Sequence, residues 1–562
     1  MLGPWGVTLL LVLGAWTALD AAAVGQFMVG RPLVAATLGG WVAGDPAAGM
    51  LAGALLEALH LAQVPAGGAR LPDPGPGSVV AGGVAALAGS GAGAGVGAAA
   101  GVGAAAGAGS AGAAGGALAL ALTLGVGLSL LGGRLVERHR KANADRVAAG
   151  WSRGDPLGGV LRGALSRGAI RGAALVAGGL AVASLVSPAV MARWPLSPGG
   201  TVALLAVPAF LGLGSVARTP VPGHRRGIGL LAVGVLAGAA AGVLFGALFG
   251  GGGCWGRSRR QLRRRRRPGG SGPDGRNPMT PASPERPPVP CRAGPSARRL
   301  FLRSFLVQGM WNPRDLLGSG MAWILEDQPG ASPGATAGRA PGGTPGPAPG
   351  PASGASPAAT EVAPLAPFNS HPYLAGVALG AVVREREQGR LAPEAEARFR
   401  AALRAPLGAL GDALVWAGWV PFLALAALGL LVLGAPPLPV VGAFLVVHNL
   451  LHLALRGWGV RIGLLHGVQV GAALGRSPLR PAGDVFRQGV VVLAGFVAAL
   501  AAVRGGLYLA EGAPTATGLA AVGLLFVGVG YVLAGRLPVT TPLRLALLLL
   551  GVGWIAAMAP GG

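Results

Sequence analysis

The 562-residue chain is 52% hydrophobic and only 12% charged, with a mean hydropathy of +0.59; this excludes an ordinary soluble globule and points to lipid as the solvent. Its 45 basic and 20 acidic residues give a net charge of +25, but the arginines sit in short polar stretches between apolar runs, with no aromatics interleaved. That is the pattern of cytoplasmic loops, not of a nucleic-acid surface.

In chain order, apolar runs at residues 5–24, 33–61, 79–131, 173–191, 202–216 and 228–249 predict a polytopic helical first half. The opening run lacks a basic leader and a cleavage site, so it reads as a retained helix. Residues 134–153 carry Arg134, Arg138, Arg140, Lys141, Arg146 and Arg153 and are a candidate cytoplasmic stretch. Lys141 is the only lysine, so the Arg, Ala, Gly and Pro excess also reflects a GC-rich genome. The Ala/Gly-monotonous tract at 89–116 lacks the Lys and Ser/Thr of a phosphate cradle and reads as helix packing or low complexity.

Residues 251–297, with the run Arg263 to Arg267 followed by Pro, Gly and Ser, predict a disordered basic linker held on the cytoplasmic side. Cys254 and Cys291 lie there without metal-ligand spacing, so neither a disulfide nor a metal is expected. Met279 leaves open two adjacent reading frames. The second half, 298–562, opens on a basic amphipathic stretch and is broken by a Pro/Gly/Ala-rich insert at 328–367. A charged amphipathic segment at 384–404 precedes apolar runs at 413–433, 440–455, 490–503, 519–533 and 543–558. Several fall short of the roughly 20 residues that span a bilayer, as in discontinuous or re-entrant helices lining a polar cavity. The reading is an all-α polytopic membrane protein of two helical membrane halves.

Asp20, Gln26, Arg31, Asp45 and Glu57 fall inside the first apolar region, where polar groups are expensive unless paired or facing water. Asp20, Gln26 and Glu57 read either as ligand contacts or as buried pairs and helix-end contacts. Arg31, before a proline, reads as structural or gating, by snorkelling or by neutralising Asp20. Asp45, in Gly44-Asp45-Pro46, reads as a turn initiator. Asp73 lies in Pro72-Asp73-Pro74, a cavity loop or ordinary turn chemistry. Asn369 or Ser370 ahead of Pro372 suits a helix N-cap. His448 and His452 share a helix face, but no third ligand accompanies them. Arg31-Pro32-Leu33-Val34-Ala35 is weakly echoed by His371-Pro372-Tyr373-Leu374-Ala375.

The order Asp20, Gln26, Arg31-Pro32-Leu33-Val34, Gly44-Asp45, Gly49, Gly53, Glu57-Ala58-Leu59, then Pro65-Ala66-Gly67 and Pro72-Asp73, resembles enzyme IIC of the mannose/fructose/sorbose family of sugar phosphotransferase systems. Arg303-Ser304-Phe305-Leu306-Val307-Gln308 with Trp311-Asn312, Phe368-Asn369-Ser370-His371-Pro372-Tyr373, and Gly411-Asp412-Ala413-Leu414 with Trp416 and Pro421 resemble enzyme IID. The resemblance covers residues 1–250 for IIC and 298–562 for IID. It departs at 326–367, where IID usually carries a charged helical stretch.

This resemblance implies a multi-pass protein of the bacterial inner membrane that carries a hexose-type sugar, bound by Asp20, Gln26, Glu57, Asp73, Asn369 and His371. Soluble IIA and IIB phosphocarrier proteins act from other chains, and IIB phosphorylates the sugar. The chain itself then needs no catalytic residue, cofactor or metal, and a trimer of IIC/IID pairs is implied. A diverged membrane scaffold or regulator and an ion-coupled sugar transporter are the alternatives.

Overall fold

A computed structural model describes residues 2–65, 70–91, 108–153, 155–218, 224–249, 295–326, 366–510, 515–534 and 536–559. Nearly all of the 251–297 linker, with Cys254, Cys291 and Met279, lies outside the described residues, as do the middle of the 89–116 tract, Ala66-Gly67 and nearly all of the 328–367 insert.

The first half opens with α1 (Pro4–Ala22), whose exposed Trp5, Leu9, Val12 and Trp16 recur at helical spacing and form an apolar outer stripe. The apolar run at 33–61 is split in two by Gly44-Asp45. Here α2 (Pro32–Val42) and α3 (Pro46–His60) fold back on each other, and the Asp45 carboxylate caps α3 by accepting from the Ala47 and Ala48 amides at 3.0 Å. Eleven residues rise only about 16 Å, half a bilayer core, so α2 is a buried, re-entrant element. The half continues through α4 (Pro74–Gly91), the long α5 (Ala108–Ser152), α6 (Leu157–Leu185), a short α7 (Pro188–Ala192), α8 (Pro198–Ala217) and α9 (His224–Phe249).

In the second half, α10 (Pro295–Ser304) and α11 (Gly318–Leu325) lead to the extended segment 366–371 and the buried α12 (Ala375–Glu387). A continuous helix follows, built of α13 (Pro393–Gly411), a π-helical stretch (Asp412–Trp419) and α14 (Val420–Val432). The remainder is α15 (Pro437–His466), α16 (Val470–Gly475), α17 (Leu479–Ala510), α18 (Thr515–Leu533) and α19 (Thr541–Met558). Among the described residues, seven helices are long and apolar enough to cross a membrane.

The two halves interleave. α9 runs along α17, where Gly234 and Gly238 meet the backbone of Val492 and Phe496, and α8 meets α18, where Gly214 faces Val527 and Gly530 faces Leu211. No side chain fits at such crossings, which is how small residues let membrane helices pack without a hydrophobic drive. Trp194 and Trp554 pack at 4.9 Å where α19 joins the first half.

Candidate functional site

Residues 23–31 connect α1 to α2 through an irregular loop in which Gly25, Gln26 and Met28 all take positive φ, at 72°, 64° and 67°. Such a backbone is strained for Gln and Met and persists only where its surroundings hold it. Two sets of hydrogen bonds do so. From its own half, buried Asp20 accepts from the Phe27 amide at 2.6 Å and the Gly30 amide at 3.1 Å.

From the other half, three side chains take three consecutive carbonyls. Arg456 Nη2 donates to Gly25 (3.2 Å), the Tyr373 hydroxyl to Gln26 (2.9 Å) and Asn449 Nδ2 to Phe27 (3.1 Å), while the Gly25 amide donates to the Phe305 carbonyl (2.9 Å). These side chains come from α15 and the segment before α12, and the Phe305 carbonyl lies just past α10.

α15 is amphipathic in the inverted sense. His448, His452 and Arg456 recur every fourth residue on its buried face, while Val446, Leu450 and Leu453 are exposed. Arg456 is 1% exposed and has no carboxylate within ion-pair distance among the described residues. Its Nε donates to His452 Nε2 (2.6 Å), its Nη1 to the Ser304 carbonyl (2.5 Å), and its guanidinium lies over the rings of Phe305 (4.7 Å) and Tyr373 (5.2 Å). The charge is thus spread over carbonyls and aromatic faces. His452 stacks on Tyr373 at 4.2 Å.

The remaining expected residues divide. Gln26 is in the loop, and its side-chain Oε1 is buried without a hydrogen-bond partner. His371 packs edge-on against Tyr373 (4.8 Å) and against Trp416 of the π-helical stretch (5.1 Å); its Nδ1 accepts from the Tyr373 amide, and its Nε2 is buried and unpaired. His448 lies 3.1 Å from the Tyr373 hydroxyl through Nε2 and leaves Nδ1 buried and unpaired. Arg31 pairs with Glu57, whose other oxygen accepts from the Leu33 amide, so the salt bridge pins the start of α2 to α3. Arg31 therefore neutralises Glu57, not Asp20, because the Asp20 oxygens are taken by loop amides.

Asp73 stands apart, paired to Arg171 of α6 at 3.1 Å. Asn369 is half-buried beside Phe368, which bridges to Leu316. Neither Asn369 nor Ser370 caps a helix, because α12 starts only at Ala375. Among the described residues no group of three metal-ligating side chains is assembled.

Sequence reasoning gave Tyr373, Asn449 and Arg456 no site role and weighed His448 and His452 only as a metal-spaced pair. The signal was present as the spacing of His448, His452 and Arg456, a polar stripe inside an apolar run. Gln26 Oε1, His371 Nε2 and His448 Nδ1 are each buried without a partner, on residues that all touch Tyr373. Hydroxyl groups of a small neutral ligand match such a set of donors and acceptors.

Residues 5–132 match the family model described as the sorbose-specific IIC component of the phosphotransferase system, and residues 362–511 match that of the mannose/fructose/sorbose family IID component. No curated protein matches the chain. Among solved structures, the cryo-electron-microscopy structure of the mannose transporter ManYZ with microcin E492 is similar at 23% identity, over 37% of this chain and 69% of that one, with a TM-score of 0.25. A structure described as a membrane protein is similar at 24% identity, over 34% and 64%, with the same TM-score.

Proposed function

Because the chain joins IIC and IID components of the mannose/fructose/sorbose family of sugar phosphotransferase systems, we propose that it carries a hexose across the bacterial inner membrane through a site at the seam of its two halves. The observation that carries the site is the trio of buried, unpaired atoms on Gln26, His371 and His448. Each unsatisfied group costs about 1–3 kcal/mol, and a polyhydroxylated ligand removes that cost in a way no apolar cargo can. Tyr373 fixes the geometry from the centre, with its hydroxyl on the Gln26 carbonyl and its ring against His371 and His452.

In this reading Asp20, Arg31 and Glu57 shape the site without touching sugar. Asp20 sets the loop that bears Gln26, and the Arg31–Glu57 pair fixes the helix that follows. Asp73 and Asn369 are assigned no sugar contact. The phosphoryl group comes from a separate IIB protein recharged by IIA, and assembly is as a trimer of IIC/IID pairs.

The test uses vesicles holding the full chain with purified IIA and IIB proteins, phosphoenolpyruvate and the general carrier proteins. Hexose uptake coupled to phosphorylation is expected. Gln26→Gly keeps the positive-φ backbone at no steric cost and leaves the carbonyl that Tyr373 holds; it should lower coupled uptake on the order of tenfold at limiting sugar. Uptake of unmodified sugar without a phosphoryl donor would assign ion-coupled transport instead, and no binding of any hexose would leave a scaffold.

A further inference from the structure

We propose that the seam reads the direction of a ligand's hydrogen bonds, with His371 fixed as a donor, His448 fixed as an acceptor and Tyr373 the positioning residue that fixes both; this rests on the sugar site proposed above. At 2.9 Å from the Gln26 carbonyl, the Tyr373 hydroxyl gives its one proton to that carbonyl, since a carbonyl oxygen has none to give. His448 Nε2 lies 3.1 Å from the same hydroxyl. With the hydroxyl proton spent, that contact is a hydrogen bond only if Nε2 carries a proton and the phenol oxygen accepts it. The backbone of Tyr373 acts on the other ring. Its amide donates to His371 Nδ1 at 3.2 Å, which requires that nitrogen to be bare.

Both rings therefore carry the proton on Nε2, yet they leave opposite atoms free. The buried, unpartnered atom of His371 is Nε2, a donor, and that of His448 is Nδ1, an acceptor. A charged His448 would stand one ring away from Arg456, with His452 between them, and no carboxylate among the described residues pairs with it. Burial of a second unpaired cation is costly, so the ring is neutral.

His452 shows the opposite arrangement. Its Nε2 accepts from Arg456 Nε at 2.6 Å, and its Nδ1 faces Asn449 Oδ1 at 3.3 Å, the Asn449 amide nitrogen being turned to the Phe27 and Leu445 carbonyls. Its proton is on Nδ1, and both nitrogens are used. Gln26 differs again, because its amide can turn over and offer either oxygen or N–H. A ligand hydroxyl at His448 must then donate, and one at His371 must accept. Fluorine in place of a hydroxyl accepts weakly and never donates, whereas hydrogen does neither, so the two replacements tell the histidines apart.

The experiment uses the full chain in nanodiscs with nitrogen-15 histidine, because a bare imidazole nitrogen resonates well downfield of a protonated one. His371 and His448 should be protonated at Nε2 and His452 at Nδ1, each signal assigned by its loss in a variant. Tyr373→Phe keeps the ring and the amide, so His371 should hold its form while His448 becomes a mixture of both. Binding is then measured for mannose and fructose and for their singly deoxygenated and singly fluorinated derivatives. At one position both replacements should weaken binding alike, about tenfold, and His448→Leu should erase that loss. At another, fluorine should retain binding that hydrogen loses, and His371→Leu should erase that difference. His448 protonated at Nδ1, His371 bare at Nε2, or losses unchanged in both leucine variants overturns the proposal. If the leucine variants fail to fold, the wild-type ring states and the Tyr373→Phe spectrum decide. A wild type that binds no hexose overturns the sugar site and this proposal with it; one that binds hexose with other ring states overturns this proposal alone.

Discussion

A buried arginine with no acid beside it is the most exposed energetic commitment in the chain. Moving a cation from water costs several kcal/mol even after relaxation, and Arg456 recovers it through His452, two backbone carbonyls and two ring faces. Arg456→Lys cannot serve these partners, since an ammonium lacks the planar fork; it should lower the thermal midpoint and speed proteolysis within residues 23–31. A stable, protease-resistant lysine variant would refute this account. Arg31→Ala leaves Glu57 charged and buried, at a cost of about 3–5 kcal/mol; adding Glu57→Gln should restore most of the lost midpoint, as measured by thermal unfolding in detergent. Sequence reasoning found Asp20, Gln26, Arg31 and Glu57 because each interrupts an apolar run. It missed Arg456 because an arginine at the end of such a run looks like an interfacial anchor until the helix is seen to continue to His466.

Helices here are tuned by where they break. Gly44-Asp45 turns one apolar run into the re-entrant pair α2 and α3, and that much is readable from a Gly-Asp-Pro sequence. The π-helical stretch from Asp412 to Trp419 is not, since a widened turn depends on what packs against it and not on local propensity. It brings Trp416 to His371, and Gly411 at its entrance touches the His371 side chain so closely that any Cβ collides with it. Gly411→Ala should therefore leave insertion and assembly intact while displacing His371. Coupled uptake should fall about tenfold to a hundredfold, and a variant with wild-type uptake would separate His371 from the site. The cap expected at Asn369 or Ser370 failed for a related reason: the chain there is held extended by Leu316 and Leu317, so the helix starts later.

At the scale of the whole molecule, fusion adds little chemistry to halves that already interleave through α9 with α17 and α8 with α18. Residues 1–253 and 295–562 expressed as two chains should co-purify, and Gly234→Leu with Gly238→Leu should abolish this, because both glycines lie against the α17 backbone. Recovery of either half alone from the unmutated pair would overturn the prediction. The division into halves was legible from composition, but their mutual embrace was not, because small residues in an apolar run do not say which helix they face. The joint at residues 25–27 adds something further. The second half holds that loop through three carbonyls and the Gly25 amide, with the Phe27 ring packed on Phe305 and His452, so at residue 26 the hydrogen bond of that grip is to the backbone and not to the side chain. If the proposed sugar contact at Gln26 holds, a lineage can exchange residue 26 for another hydrogen-bonding group, and with it the sugar it prefers, without having to rebuild the joint between the halves.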